Sequence, residues 1–203
     1  MANDHYFTAE PGSPDTLREV TVELAGREVT VLTAGGVFSP GGLDKGTAVL
    51  LREVPDPPPE GVFLDLGCGW GPLALTMALR SPAATVHAVD VNRRALDLAR
   101  RNAAALGCTN VVVGEPEDVP AGSRFDLIWS NPPVRVGKAV LHELLLTWLP
   151  RLAPGGEAWL VVQKNLGADS LHAWLRAEMP ERFEISREAS HQGFRVLRVA
   201  APA

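Results

Sequence analysis

Apolar and polar residues alternate twice near the start of the chain, at Val20-Thr21-Val22-Glu23-Leu24 and at Val29-Thr30-Val31-Leu32. A period of two, with Ala25-Gly26-Arg27 between the runs, predicts a β-hairpin. Residues 44–54 shift to helical spacing, with Leu43, Val49, Leu50, Leu51 and Val54 to one side, and the prolines of 55–59 end that helix as a stiff connector. From residue 62 the pattern changes again. Val62-Phe63-Leu64-Asp65-Leu66 is a nearly unbroken apolar run bounded by glycine, which predicts a strand buried on both faces. More strands are predicted at 85–90, 111–113, 125–130 and 158–163. Helices are predicted at 72–80, 93–106, 138–149 and 168–179, the second carrying Ala95, Leu98, Ala99, Ala103 and Leu106 on one face. Pro154-Gly155-Gly156 predicts the turn into the strand at 158, and two last strands, 183–186 and 194–199, follow one another with no helix between them.

Strands alternating with helices predict an α/β fold with a doubly wound, mostly parallel sheet and an antiparallel C-terminal strand. Residues 1–54 are expected to form an arm, a hairpin and a helix on the same globule as the main domain, residues 60–203. The polar, turn-rich stretch 4–17 is expected to be an ordered arm or a frayed end, and 203 residues suffice for one sizeable core.

The chemistry starts where the first buried strand ends. Gly67-Cys68-Gly69-Trp70-Gly71-Pro72 places glycines where the backbone must turn sharply, and Pro72 at the favoured first position of a helix. Strand, glycine turn and helix together mark a nucleotide-type cofactor site. A dinucleotide fingerprint would need glycine where Pro72 stands. Asp65, just before the turn, suits a ligand carrying positive charge better than a pyrophosphate. A nicotinamide dehydrogenase is disfavoured for both reasons. Asp90 ends the second strand of the sheet, where a carboxylate can accept two ribose hydroxyls.

Asp65-x-Gly67-x-Gly69-x-Gly71 resembles motif I of the class I, Rossmann-like S-adenosylmethionine-dependent methyltransferases. The resemblance implies S-adenosyl-L-methionine as cofactor and S-adenosyl-L-homocysteine as its product. It places Asp65, Gly67, Cys68, Gly69 and Gly71 around the methionine end, Asp90 and Val91 at the ribose, and Glu115 at the adenine.

Asn131-Pro132-Pro133, after the fourth strand of the sheet, is the second signal. Two prolines end the ladder and hold a rigid turn, so that the Asn131 side-chain oxygen and the Pro132 carbonyl can face a cleft. Two such acceptors would orient an exocyclic amine and localise its lone pair, with no dedicated base required. The stretch resembles motif IV of methyltransferases that act on adenine N6 or guanine N2, which makes Asn131 and Pro132 the catalytic candidates and brings Asn131 to the cofactor as well. Those enzymes place an aromatic after the prolines, whereas this chain has Val134, so either stacking on a base falls to Phe38 or Trp70 or the target is not a flipped base.

His5-Tyr6-Phe7, Gly36-Val37-Phe38-Ser39, Asp44-Lys45-Gly46-Thr47, Asn131-Pro132-Pro133 and Gly193-Phe194-Arg195-Val196-Leu197 together resemble the small-domain methyltransferases related to the 16S ribosomal RNA guanine-N2 methyltransferase. That resemblance implies an RNA partner, ribosomal RNA or an assembled subunit, with Phe38, Lys45, Thr47, Pro133, Val134 and Arg135 on the substrate side. The ribosomal enzyme carries a duplicated, inactive N-terminal half that these 203 residues do not include.

Composition narrows this picture without overturning it. Lys+Arg 19 against Asp+Glu 24 gives a net charge of −5, so RNA binding must rest on a local basic rim, for which Arg135, Lys138, Lys164 and Arg195 are the candidates. The acidic balance and Val134 keep open a small-molecule or protein amine as substrate, and a non-catalytic cofactor- or RNA-binding module is the remaining class. Cys68 and Cys108 form neither a zinc pattern nor a disulfide framework, and His142 and His191 have no partners at metal-ligand spacing, so no metal is expected. No apolar run reaches membrane-spanning length and no secretory signal pattern is visible, so the expected compartment is the cytoplasm, away from the membrane.

Overall fold

A computed structural model of the protein describes residues 16–203. The His5-Tyr6-Phe7 stretch and nearly all of the expected arm lie outside the described residues. Strands β1 (Leu17–Leu24) and β2 (Arg27–Ala34) pair antiparallel as a separate two-stranded sheet. Ala25 and Gly26 between them both adopt left-handed backbone, which matches the right-handed twist of a two-residue hairpin.

Helix α1 (Lys45–Glu53) begins at Asp44, whose carboxylate accepts the N–H groups of Gly46 and Thr47. Then follow β3 (Val62–Leu66), α2 (Pro72–Arg80), β4 (Thr85–Val89), α3 (Arg93–Ala105), β5 (Val111–Gly114), β6 (Phe125–Ser130), α4 (Lys138–Trp148), β7 (Leu152–Gln163), α5 (Ala168–Glu178), β8 (Glu184–His191) and β9 (Phe194–Ala200). The main sheet has the order β5-β4-β3-β6-β7-β9-β8. Strands β5 to β7 are parallel, and β9 and β8 close the edge antiparallel.

The pattern of the central strands explains the layers. Alternate residues of β3 enter opposite cores: Phe63 packs with α2, α3 and the hairpin, while Leu64 and Leu66 pack with α4 and α5. Leu24, Val29 and Val31 of the hairpin belong to the first of these cores. Buried Asn102 of α3 fastens the hairpin there. Its oxygen accepts the Leu32 N–H at 2.7 Å, and its amide donates to the carbonyls of Leu32 and Trp70, each at 3.0 Å.

Two boundaries differ from the sequence pattern. Residues 154–156 form no turn before β7 but a bulged part of it, because Gly155 donates to the Pro202 carbonyl and Ala201 donates to that of Gly156. Strand β8 runs on to His191, where its largely polar residues carry no apolar alternation and form the sheet edge, a position that tolerates charge.

The chain runs outward from β3 through β4 to β5 and then returns to β6 on the other side of β3. Such a reversal opens a crevice at the carboxyl ends of the strands. Ser130 holds the two central strands together there, its hydroxyl donating to the Leu66 carbonyl at 2.7 Å. Among the described residues, no helix is long and apolar enough to cross a membrane.

Candidate active site

The floor of the crevice is the turn after β3. Gly67, Gly69 and Gly71 have φ of 78°, 55° and 99°, left-handed values that any side chain would strain. Four amides of this turn are already used internally. Gly67 and Cys68 both donate to the Val89 carbonyl, Gly71 to that of Cys68, and Gly69 to Asp90 Oδ2 at 2.9 Å. Pro72 has no N–H to offer. A pyrophosphate is held by free amides at a helix start, and most amides of this turn are already engaged.

The charges also favour a cation. Asp65 is fully buried, and its Oδ2 accepts the N–H of Ala74 in the first turn of α2 at 2.8 Å. Its other oxygen, Oδ1, is buried without a hydrogen-bond partner. Burial, outweighing the Ala74 N–H and reinforced by nearby Asp90, pushes this carboxyl up to about 8. Burial likewise raises Asp90, although its Oδ1 accepts the Asn92 N–H at 2.9 Å and its Oδ2 that of Gly69. The Val91 N–H also donates to Asp90, and the carboxylate's remaining acceptor capacity is open to a ligand. An ammonium or sulfonium would relieve both carboxyls.

A cleft of about 270 Å³ opens above the turn, lined by Phe38, Asp44, Gly67, Gly69, Asp90, Asn131 to Arg135, Val161 to Gln163 and Phe194 among others. A smaller hollow shares Phe38, Asp44, Gly67, Gly69 and Asn131 with it and descends to Asp65, Thr47 and Cys68. Phe38 sits on a loop tied down at its base, where the carbonyls of Gly35 and Gly36 accept from Arg94 Nη1 and Asn92 Nδ2. Asn131, after β6, donates through Nδ2 to Asp44 Oδ2 at 2.9 Å and to Thr47 Oγ1 at 3.1 Å. The Pro132 carbonyl accepts the Val134 N–H at 2.8 Å and keeps one lone pair.

Most of the expected residues therefore converge on one cleft, but not all. Cys68 is buried in the turn, where desolvation pushes its thiol well up, so it is a filler and no nucleophile. Val91 is half-buried beside Asp90, outside the lining. Glu115 follows β5 and pairs with Arg93 at 3.0 Å, also outside the lining. Lys45 is exposed on the first turn of α1.

Trp70 corrects an expectation. It is a candidate for stacking in the sequence, yet it is 1% exposed and belongs to the hairpin-side core, reaching only the wall of the smaller hollow. Phe194 enters the cleft instead, from the start of β9. Only the closing Gly193-Phe194 pattern hinted at it. The basic rim is also reduced. Arg135, Lys138 and Lys164 are exposed, but Arg195 is largely buried and lies 3.6 Å from Asp169. Among the described residues, no group of three His, Cys, Asp or Glu side chains is placed to hold a metal ion.

Residues 28–198 match the methyltransferase small domain family. The Bacillus subtilis (strain 168) protein YbxB is 34% identical over 171 residues, which cover 83% of this chain and 85% of that one. The ribosomal RNA small subunit methyltransferase C of Pseudomonas entomophila (strain L48) is 37% identical over 172 residues, 83% of this chain but 50% of that protein. The chain thus spans about half the length of the relatives of that name. Among solved structures, the T. Thermophilus 16S rRNA N2 G1207 methyltransferase, in complex with AdoMet and guanosine, aligns with a TM-score of 0.76 and 25% identity, covering 94% of this chain and 52% of that one. A methyltransferase from Pyrococcus furiosus aligns at 0.63 with 20% identity, covering 83% and 91%, and shares the fold. The match over most of the chain, the identity to these relatives and the crevice built on the β3 turn lead to one conclusion: the chain belongs to the methyltransferase small domain family and is a methyltransferase of the class I α/β fold.

Proposed function

We propose that the protein methylates an exocyclic amine, guanine N2 of ribosomal RNA, with S-adenosylmethionine as methyl donor. The observation that carries this reading is the adjacency of two features. A cleft floor with an unpartnered buried carboxylate oxygen, suited to a cationic ligand, adjoins an Asn-Pro turn that offers two acceptors. The relatives named as ribosomal RNA methyltransferases, and the solved relative with guanosine, support guanine in RNA as the target.

S-adenosylmethionine, when bound, supplies a methyl group on a sulfonium centre and is left as S-adenosylhomocysteine. The residues divide the remaining work. Asp65 Oδ1 takes the ammonium of the methionine end over the Gly67–Gly71 turn, and Asp90 takes the ribose hydroxyls. Val91 lies beside Asp90 at the ribose, Glu115 borders the adenine, and Phe38 covers the cleft from the loop above. Asn131 Oδ1 and the Pro132 carbonyl accept the two protons of the target amine. An amine conjugated to a purine ring is a weak nucleophile, and two fixed acceptors turn its lone pair towards the methyl group. The surplus proton, held on the amine between these oxygens, then passes to water. Pro133 and Val134 form one wall of the base site and Phe194 offers the stacking face that Val134 lacks. Thr47 backs the site, while Lys45, Arg135, Lys138 and Lys164 meet RNA phosphates at the rim. The cytoplasm is the compartment that fits this reading.

Asp90→Ala is expected to weaken S-adenosylmethionine binding by about 10–100-fold, the range for lost hydrogen bonds to a charged group. Calorimetry would measure it, and unchanged affinity would remove Asp90 from the ribose site. Phe194→Ala should raise KM for RNA by about tenfold, as loss of one stacked base does, with cofactor affinity intact. Equal KM for the two proteins would show that no base stacks there.

The acidic net charge of −5 favours a second reading, in which the amine belongs to a small molecule or a protein. Nucleoside analysis of ribosomal RNA from cells with and without the gene separates the two. One N2-methylguanosine lost on deletion supports the RNA reading, and an unchanged nucleoside profile supports the other.

A further inference from the structure

Asp44 stands apart in the cleft. It belongs to the N-terminal segment, 87 residues from Asn131 in sequence, yet one of its oxygens serves both the α1 cap and the catalytic turn. Oδ2 accepts the Gly46 N–H at 2.7 Å, the Thr47 N–H at 3.2 Å and Asn131 Nδ2 at 2.9 Å. A carboxylate can only accept, so the end of the Asn131 amide that faces Asp44 must be its nitrogen. Thr47 Oγ1 takes the second amide proton at 3.1 Å, but a hydroxyl can donate or accept and could not set the orientation alone. With both protons occupied, the amide oxygen is the end left to the cleft.

The packing around this contact is tight. A Cβ on Gly46 would lie 2.9 Å from Asp44 Oδ2, 3.0 Å from Phe194 Cε1 and 3.3 Å from Asn131 Nδ2. The absence of a side chain at residue 46 is what lets the start of α1, the Asn131 turn and Phe194 meet.

We infer that Asp44 is a positioning residue, which fixes the Asn131 amide with its oxygen towards the target amine and thereby makes the N-terminal segment part of the catalytic apparatus. This inference rests on the proposed role of Asn131. An ordinary helix cap would explain the bonds to Gly46 and Thr47 but not the one to Asn131.

Two substitutions separate capping from positioning. Serine and asparagine cap helices about equally well, so Asp44→Ser and Asp44→Asn should melt within a few degrees of each other. Serine is too short to hold both the cap and Asn131, whereas asparagine retains an acceptor oxygen at the same reach. With 16S ribosomal RNA from cells lacking the gene as substrate, Asp44→Ser should lower kcat by about 30-fold with cofactor affinity within about threefold, and Asp44→Asn by less than about fivefold. In an Asn131→Ala background, Asp44→Ser should cost nothing further, because the residue it acts through is gone. Full turnover in Asp44→Ser, additive loss in the double variant, or equal loss in both single variants would overturn the inference, the last by assigning the effect to the charge itself. If Asn131→Ala keeps normal turnover, the role of Asn131 fails, and the inference falls with it. If the wild type transfers no label to this RNA, the side-chain amide protons of Asn131 decide by nuclear magnetic resonance. Slow exchange in the wild type and Asp44→Asn but fast exchange in Asp44→Ser supports the hold, and fast exchange in the wild type overturns it.

Discussion

Replacing Asn131 by alanine is expected to cut turnover by about 10²–10³-fold while changing S-adenosylmethionine affinity by less than about threefold. The large effect follows from where the side chain stands. Its nitrogen is held by Asp44 and Thr47 at the back of the cleft, so its oxygen is a fixed dipole that needs no reorganisation when charge develops on the amine. A preorganised acceptor of this kind acts in the transition state far more than in the ground state. The Pro132 carbonyl, held by the prolines, would still accept one proton and account for the residual rate. The proposed cofactor floor, built from β3, its turn and Asp90, does not depend on Asn131, which is why binding should survive. Single-turnover rates beside calorimetric affinities check this, and parallel loss of both would move Asn131 from chemistry to binding.

The second large effect concerns Asp65. Asp65→Asn should weaken S-adenosylmethionine binding by about 100-fold, because it replaces the charge paired with the ammonium in a buried site. The same change should make the free protein less sensitive to pH. Asp65 has a folded value of about 8 against 3.8 in the unfolded chain. Between these values the folded state holds a proton that the unfolded state has released, so this contribution to stability is full below about pH 4 and is lost as pH rises through about 8. The slope is on the order of 1 kcal/mol per pH unit within that window. Asp90, raised in the same direction, adds to it. In the free enzyme near pH 7, Asp65 is thus mostly a neutral carboxyl, and the proposed pairing with an ammonium would expel its proton. Cofactor affinity should therefore tighten as pH rises from 6 to 7.5, with proton release visible in calorimetry across buffers of different ionisation enthalpy. Denaturant unfolding of both proteins at pH 6 and 8 checks the stability arm. A wild type equally stable at both, or binding with no proton uptake or release, would remove the neutral Asp65 from the account.

The features legible in the sequence are those written in neighbouring residues. The β3 run, its glycine turn and Pro72 are contiguous, so local steric rules were enough to place them. Asp65 and Asp90 could be read because a parallel sheet brings its strand ends to one side. The Asn131-Pro132-Pro133 turn was legible for the same reason. What escaped depends on contacts between distant segments, which leave no periodic trace. The bond from Asn131 to Asp44, the Asn102 clasp on the hairpin and the arrival of Phe194 in the cleft all span long stretches of chain. Trp70 misled because a large aromatic beside a glycine turn is ambiguous until its burial in the core is known. Arg195 misled in a similar way, its charge being drawn to Asp169.

Methyl transfer to an exocyclic amine of RNA at the Asn131 turn can be observed by incubating the purified protein with methyl-labelled S-adenosylmethionine and 16S ribosomal RNA from cells lacking the gene, then digesting the RNA to nucleosides. Label is expected in N2-methylguanosine with the wild type and almost none with Asn131→Ala. No labelled nucleoside from a wild-type protein that binds the cofactor, on either naked RNA or assembled subunits, would contradict such transfer.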